Sequence, residues 1–169
     1  MSWLYNNSKL EHLPDKKYKA FVYRIDISDK YYFGIKSLYT NKELPSLKTD
    51  KVRDGFVGKS KKYVYRRDDG SIITKNSEKK GLKAKIETYD MVIVESNWKN
   101  YCSSSEDVKK LVVKGHTPTR TIIRLCESVK EARYFEEKLL FEHVGIEDCL
   151  NGNCGGRYFL EEILTWLSI

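Results

Sequence analysis

Residues 19–35 read KAFVYRIDISDKYYFGI. Through KAFVYRIDI apolar and polar residues alternate, and β-branched and aromatic side chains dominate, which is the pattern of a half-buried strand. Ser28-Asp29-Lys30 makes a tight connection, and YYFGI at 31–35 returns as a second strand, so the stretch predicts a β-hairpin. Register permitting, Tyr23 and Tyr32 then lie near one another on one face of it.

Outward from this hairpin the chain punctuates itself. Residues 1–18 read as an irregular polar arm with a turn at Leu13-Pro14-Asp15, and residues 38–60 as a loop holding Pro45, Gly55 and Gly58. YVYRRDDGSIIT at 63–74 predicts a second hairpin, 78–87 is charged and weakly helical, and MVIVE at 91–95 is a short strand. Ser103–Ser105 can cap a helix over about 106–114 that Gly115 ends, and residues 120–126 read as a strand. Ser128 followed by Glu131 is a capping box, and Ala132, Phe135, Leu139, Leu140 and Val144 recur behind it at helical spacing. LNGNCGG at 150–156 breaks the chain before an amphipathic closing helix over 158–167. The expected fold class is α+β, one domain over 19–169, with a small central β-sheet flanked by helices and a basic β region inserted at about 62–102.

Composition narrows the class. A chain of 169 residues, 40% hydrophobic and 33% charged with ten Gly and three Pro, is neither collagen-like nor low-complexity. No run approaches the ~20 apolar residues of a membrane span. The N-terminal MSWLYNNSKLEHLPDKK lacks the apolar core of a secretion signal, so a cytoplasmic location with no membrane partner is expected. The four cysteines read as reduced thiols. Cys126 lies in an apolar strand, and Cys149 and Cys154, although near His143, lack the second ligand pair of a structural zinc. The net charge is +7, and residues 45–87 hold 13 basic and six acidic residues, so the whole excess sits there. Such a segment is the footprint of a partner with a phosphate backbone, or simply a solvated lysine-rich surface.

A carboxylate, a phenol and a cation together suit phosphodiester hydrolysis. The carboxylate binds a divalent metal, metal and cation stabilise charge developing on phosphoryl oxygens, and the phenol activates or orients water. Tyr23, Tyr32, Glu136 and Asn151 are the candidates. Taken singly each has a plainer reading: hairpin tyrosines pack, helix glutamates face solvent, and Asn-Gly makes turns.

The blocks resemble, in order, those of the GIY-YIG nucleases. FVY at 21–23 and YFG at 32–34 look like the paired signature, and DGFVGKSK at 54–61 is similar to a stretch of the free-standing phage homing endonucleases of that superfamily. TIIRLCES followed by VKEARYFEEKLL resembles their strand-then-helix block, which sets Glu136 on the metal-binding glutamate, and LNGNCGG sets Asn151 on the motif asparagine. The resemblance implies DNA cleavage with a single Mg²⁺ or Mn²⁺ held by Glu136. It implies Tyr23 as general base or its water-orienting partner, Tyr32 as its assistant at the scissile phosphate, and Asn151 as a brace. Lys36 is the nearest candidate for the neutralising cation, with Arg53 and Lys61 as alternatives. Phe21 and Phe33 replace the motif Gly and Ile, Lys42 stands where an arginine is usual, and the usual nearby histidine is absent.

Three weaker signals remain. Gly58-Lys59-Ser60 mimics the end of a P-loop without its first glycine, and His116 is a lone loop histidine. KKYVYRR at 61–67 mixes bases with aromatics. It makes Lys61, Lys62, Arg66 and Arg67, together with Lys59, the expected contacts to double-stranded DNA. The expected function is a metal-dependent, phage- or mobile-element-encoded DNA endonuclease of homing type. The competing expectations are a catalytically impaired DNA-binding protein on the same core and a protein-interaction module.

Overall fold

Trp3–Tyr5 (β1) and Ser8–Leu10 (β2) pair antiparallel, so the polar arm expected at the N-terminus begins as a hairpin. Asn6 and Asn7 turn it with φ of 50° and 62°, a left-handed conformation that Asn tolerates and a two-residue turn requires. Trp3 anchors it. The ring is 1% exposed and stands edge-on to Phe21 at 5.0 Å, and its indole N–H donates to the Trp98 carbonyl over 2.7 Å.

Ala20–Ile27 (β3) and Lys30–Ser37 (β4) form the predicted hairpin, in register from Ala20 opposite Ser37 to Ile27 opposite Lys30. Tyr39–Pro45 (β5), Phe56–Val64 (β6) and Lys85–Glu95 (β7) follow and make a three-stranded sheet in the order β5-β7-β6. The sequence reads 38–60 as a loop and begins the last of these strands at 91. Polar strands show little alternation, and their pairing is decided by partners distant in the chain. The hairpin expected at 63–74 is reduced to one bridge, Arg66 opposite Ile72, and a 3₁₀ turn at Asn76–Lys79 replaces the weak helix.

Glu106–Val113 (α1) starts at Ser105, whose hydroxyl accepts the Val108 N–H. Thr119–Cys126 (β8) leads to Val129–His143 (α2), which starts at the predicted cap: Ser128 Oγ accepts the Glu131 N–H over 3.0 Å, and the Glu131 carboxylate accepts the Glu127 N–H over 2.9 Å. Asn153–Cys154 (β9) and Tyr158–Phe159 (β10) make a small antiparallel pair, so the expected closing helix opens as a strand. Its residues 160 and 163–167 lie outside the described ones. This computed structural model describes residues 2–47, 51–159 and 161–162.

The chain forms two compact units, Met1–Tyr39 with Glu95–Ile169, and Thr40–Val94. The first is the α+β core, a mixed sheet in the order β2-β1-β8-β3-β4 with β1 parallel to β8 and β3 antiparallel to both neighbours. Phe21, Tyr23 and Ile25 pack with Trp3, Trp98 and Val108 of α1, while Ala20 and Val22 pack with Ala132 of α2. β3 is therefore buried on both faces, because a helix covers each. The second unit carries 14 of the Lys and Arg residues against eight Asp and Glu, +6 of the net +7. Among the described residues no helix is long and apolar enough to cross a membrane, and all four cysteines are free thiols.

Candidate active site

Tyr23 stands mid-strand in β3, opposite Gly34 of β4 and Ile122 of β8. Its phenol ring lies over Gly34, where an added Cβ would meet Tyr23 Oη at 2.5 Å and Cζ at 2.6 Å. Only a residue without a side chain leaves room for the ring. Gly34→Ala is expected to cost about 1–3 kcal/mol in urea unfolding, the usual penalty of overpacking. In a Tyr23→Val background the cost should fall sharply, leaving only the milder contact of an added Cβ with Tyr32 Cε1 at 3.1 Å; an undiminished cost would place the strain elsewhere.

The Tyr23 side chain is fully buried, and its hydroxyl meets Tyr101 Oη at 3.4 Å. Burial above all, then the Tyr101 hydroxyl, holds its proton far more tightly than an exposed phenol would. Tyr32 lies on the same face, its ring centre 6.2 Å from that of Tyr23 and its hydroxyl 3.5 Å from Ser104 Oγ. Tyr32 borders open space where Tyr23 does not. A cavity of about 430 Å³ opens beside it, walled by Glu136 of α2, Ser104 and Asp107 at the start of α1, and Asn151.

Glu136 is half-buried on that wall. Burial first, and the neighbouring Glu137 second, push its carboxyl up to about 7, with Arg133 pulling weakly the other way. A carboxyl so placed gains from a cation at the cavity, which would favour its ionised form.

Asn151 is held by the edge of β4. After α2 the chain runs alongside that strand: the Tyr31 N–H donates to the Asp148 carbonyl over 2.9 Å, and the Leu150 N–H to the Tyr31 carbonyl over 2.8 Å. The buried Asn151 side chain continues the ladder, accepting the Phe33 N–H over 2.8 Å and donating to the Phe33 carbonyl over 3.0 Å. It thereby satisfies both backbone groups of the residue between Tyr32 and Gly34.

The expected cations separate. Lys36 Nζ donates to Asn97 Oδ1 over 2.9 Å and sits 4.3 Å from the centre of the Tyr101 ring, so it reaches Tyr23 through Tyr101. Arg53 belongs to the second unit, where Nε donates to Asp90 at 3.3 Å and Nη2 to the Pro45 carbonyl at 2.8 Å. Lys59, Lys61, Lys62, Arg66 and Arg67 are in that unit too. Lys62 is paired with Glu43, Arg67 with Glu78, and Arg66 holds Glu87 with two bonds of 2.6 and 2.8 Å. Arg66 first, and Tyr89 next, pull the Glu87 carboxyl down to about 2.

Tyr101 and Ser104 are not legible in the sequence as site residues. They lie in YCSSS, a tract whose only local signal is the helix cap at its end, and the fold alone carries it over β3 and β4.

The family model that matches the chain, described as "Putative endonuclease segE, GIY-YIG domain", covers residues 55–163. The chain belongs to the GIY-YIG endonuclease family. The matched residues include Glu136 and Asn151 and run through 62–102, whereas Tyr23 and Tyr32 precede them. Sheet register sets the two tyrosines on one face of the hairpin, and the Asn151 bonds to Phe33 bring Tyr32 beside the matched segment. No curated protein and no solved structure matches the chain.

GIY-YIG nucleases generally depend on a divalent metal. Among the described residues no three His, Cys, Asp or Glu side chains gather as a metal cluster. The cavity wall instead offers two carboxylates, Glu136 and Asp107, the second paired with Lys110 at 2.9 Å, with the hydroxyls of Tyr32 and Ser104 close by. These are hard oxygen donors, few in number. They fit Mg²⁺ or Mn²⁺, which keep several waters and take one or two carboxylates together with substrate phosphate, and they do not fit zinc.

Proposed function

We propose that this chain is a Mg²⁺- or Mn²⁺-dependent endonuclease that hydrolyses the backbone of double-stranded DNA. In this reading it is encoded by a phage or mobile element, acts in the bacterial host cytoplasm, and is selective for a site or genome in the homing manner. The observation that carries the reading is the cavity that brings Glu136, Tyr32 and Asn151 together in a chain of nuclease family. Glu136 would hold the metal, which supplies positive charge to the phosphoryl oxygens and acidifies water. The Tyr32 hydroxyl, at the cavity wall, orients the attacking water or the scissile phosphate. Tyr23, fully buried and in contact with Tyr101, acts from behind Tyr32 as an orienting partner. Asn151 holds β4 so that Tyr32 and Gly34 keep their places, and Lys36 contributes positive field through Tyr101.

One observation favours a second reading, a catalytically impaired DNA-binding protein on the same core. No Lys or Arg is among the described residues of the cavity wall. The test is incubation of wild-type protein with supercoiled plasmid and phage DNA in Mg²⁺, in Mn²⁺ and in EDTA. Nicking or linearisation that EDTA abolishes is expected. Binding without cutting under every condition would establish the impaired protein, and failure to bind or cut would end both readings.

A further inference from the structure

The sheet of the second unit has two faces of different electrostatic character. Strand alternation sets Lys59, Lys61 and Tyr63 of β6 on one face, opposite Asp90, Thr88 and Ile86 of β7. Ser60, Lys62 and Val64 lie on the other, opposite Tyr89, Glu87 and Lys85. On this second face most of the charge is paired: Glu43 takes Ser60 and Lys62, and Glu87 takes Arg66 and Tyr89, which leaves Lys85 as the one cation there without an ion pair among the described residues. Arg67 is likewise paired, with Glu78.

The first face keeps its charge. Lys59 and Lys61 are exposed and form no ion pair among the described residues. Lys42, the neighbour of Glu43 in β5, falls on the same face by alternation and is exposed too. The carboxylate that β7 sets on this face, Asp90, is 4% exposed and engaged chiefly by Ser46 Oγ at 2.7 Å, by the Leu47 N–H and by Arg53, with its cross-strand neighbour Lys59 adding only a weaker attraction. Beside the lysines stand two large side chains with no cover, Tyr63 at 75% exposure and Ile86 at 61%. An ammonium row flanked by an exposed phenol and an aliphatic chain complements a phosphate backbone bordering a groove.

We infer that the face bearing Lys42, Lys59, Lys61 and Tyr63 is the surface on which the DNA duplex docks, and that the opposite face, with Lys62 and Arg66, is not. The inference rests on the reading of the chain as a DNA endonuclease. It divides the five cations expected from sequence: Lys59 and Lys61 bind phosphate, while Lys62, Arg66 and Arg67 serve the unit's own carboxylates.

The experiment measures binding of the full chain to a random-sequence duplex in EDTA, by fluorescence anisotropy across a salt series. Lys59→Gln with Lys61→Gln should reduce the slope of log K against log[salt] by about 2, since each phosphate contact contributes about 0.9. Arg66→Gln with Glu87→Gln, which leaves net charge unchanged, should leave the slope as in wild type. A wild-type slope after the lysine changes, or a reduced slope after the Arg66–Glu87 changes, overturns the assignment of the face while the DNA reading stands. A wild-type protein that binds no duplex at any salt overturns the DNA reading and the face with it.

Discussion

Glu136→Gln is expected to reduce DNA cleavage by roughly 10²–10³-fold or more, the scale lost when a preorganised charge at a reacting phosphoryl group is removed. Gln keeps the volume and hydrogen-bonding capacity of Glu but cannot supply an anionic ligand to a metal. The fold should tolerate it, because the wild-type carboxyl is opposed by burial and by Glu137, and a neutral amide relieves both. The measurement is the initial rate of plasmid nicking in Mg²⁺, beside duplex affinity and a thermal melt. Lost cleavage with affinity and melting temperature near wild type supports the metal site. Cleavage at the wild-type rate would move the metal away from α2.

Asn151→Leu should be the most destabilising single change in the motif segment, at about 2–6 kcal/mol in urea unfolding. Leu is close in size, so little cavity follows. The cost comes from the Phe33 N–H and carbonyl, which each lose the Asn151 bond in a buried setting, at about 1–3 kcal/mol apiece. Asn151→Asp separates the two bonds: the carboxylate still accepts the Phe33 N–H, but its second oxygen faces the Phe33 carbonyl and repels it. Both variants should also lower cleavage, because Phe33 lies between Tyr32 and Gly34. Stability within about 0.5 kcal/mol of wild type for the Leu variant would mean that β4 needs no brace.

Several features of this molecule are written in local chemistry. The β3–β4 hairpin follows from alternation and a short connection, and the start of α2 from Ser128 and Glu131, whose hydrogen bonds close within four residues. Glu136 and Asn151 stand out only through the resemblance of their blocks to the family's strand-then-helix and asparagine segments, because taken singly a helix glutamate reads as a solvated face and Asn-Gly as a turn. The β1–β2 hairpin has its own local signal in Asn6-Asn7, and the polar residues around that pair mask it.

By itself, then, the sequence determined the α+β class, the hairpin with both tyrosines, the capped helix and the concentration of positive charge between residues 45 and 87. The tertiary structure alone decided the rest. It enclosed Tyr23 and left Tyr32 at the cavity, brought Tyr101 over from 78 residues away, and tied Asn151 to a strand 118 residues earlier. It also made strands of β5 and β6 and provided Lys62, Arg66 and Arg67 with carboxylate partners. The physical reason is one of range. Capping and alternation act between residues a few positions apart, whereas burial, strand pairing and ion pairing depend on which distant segments the fold brings side by side.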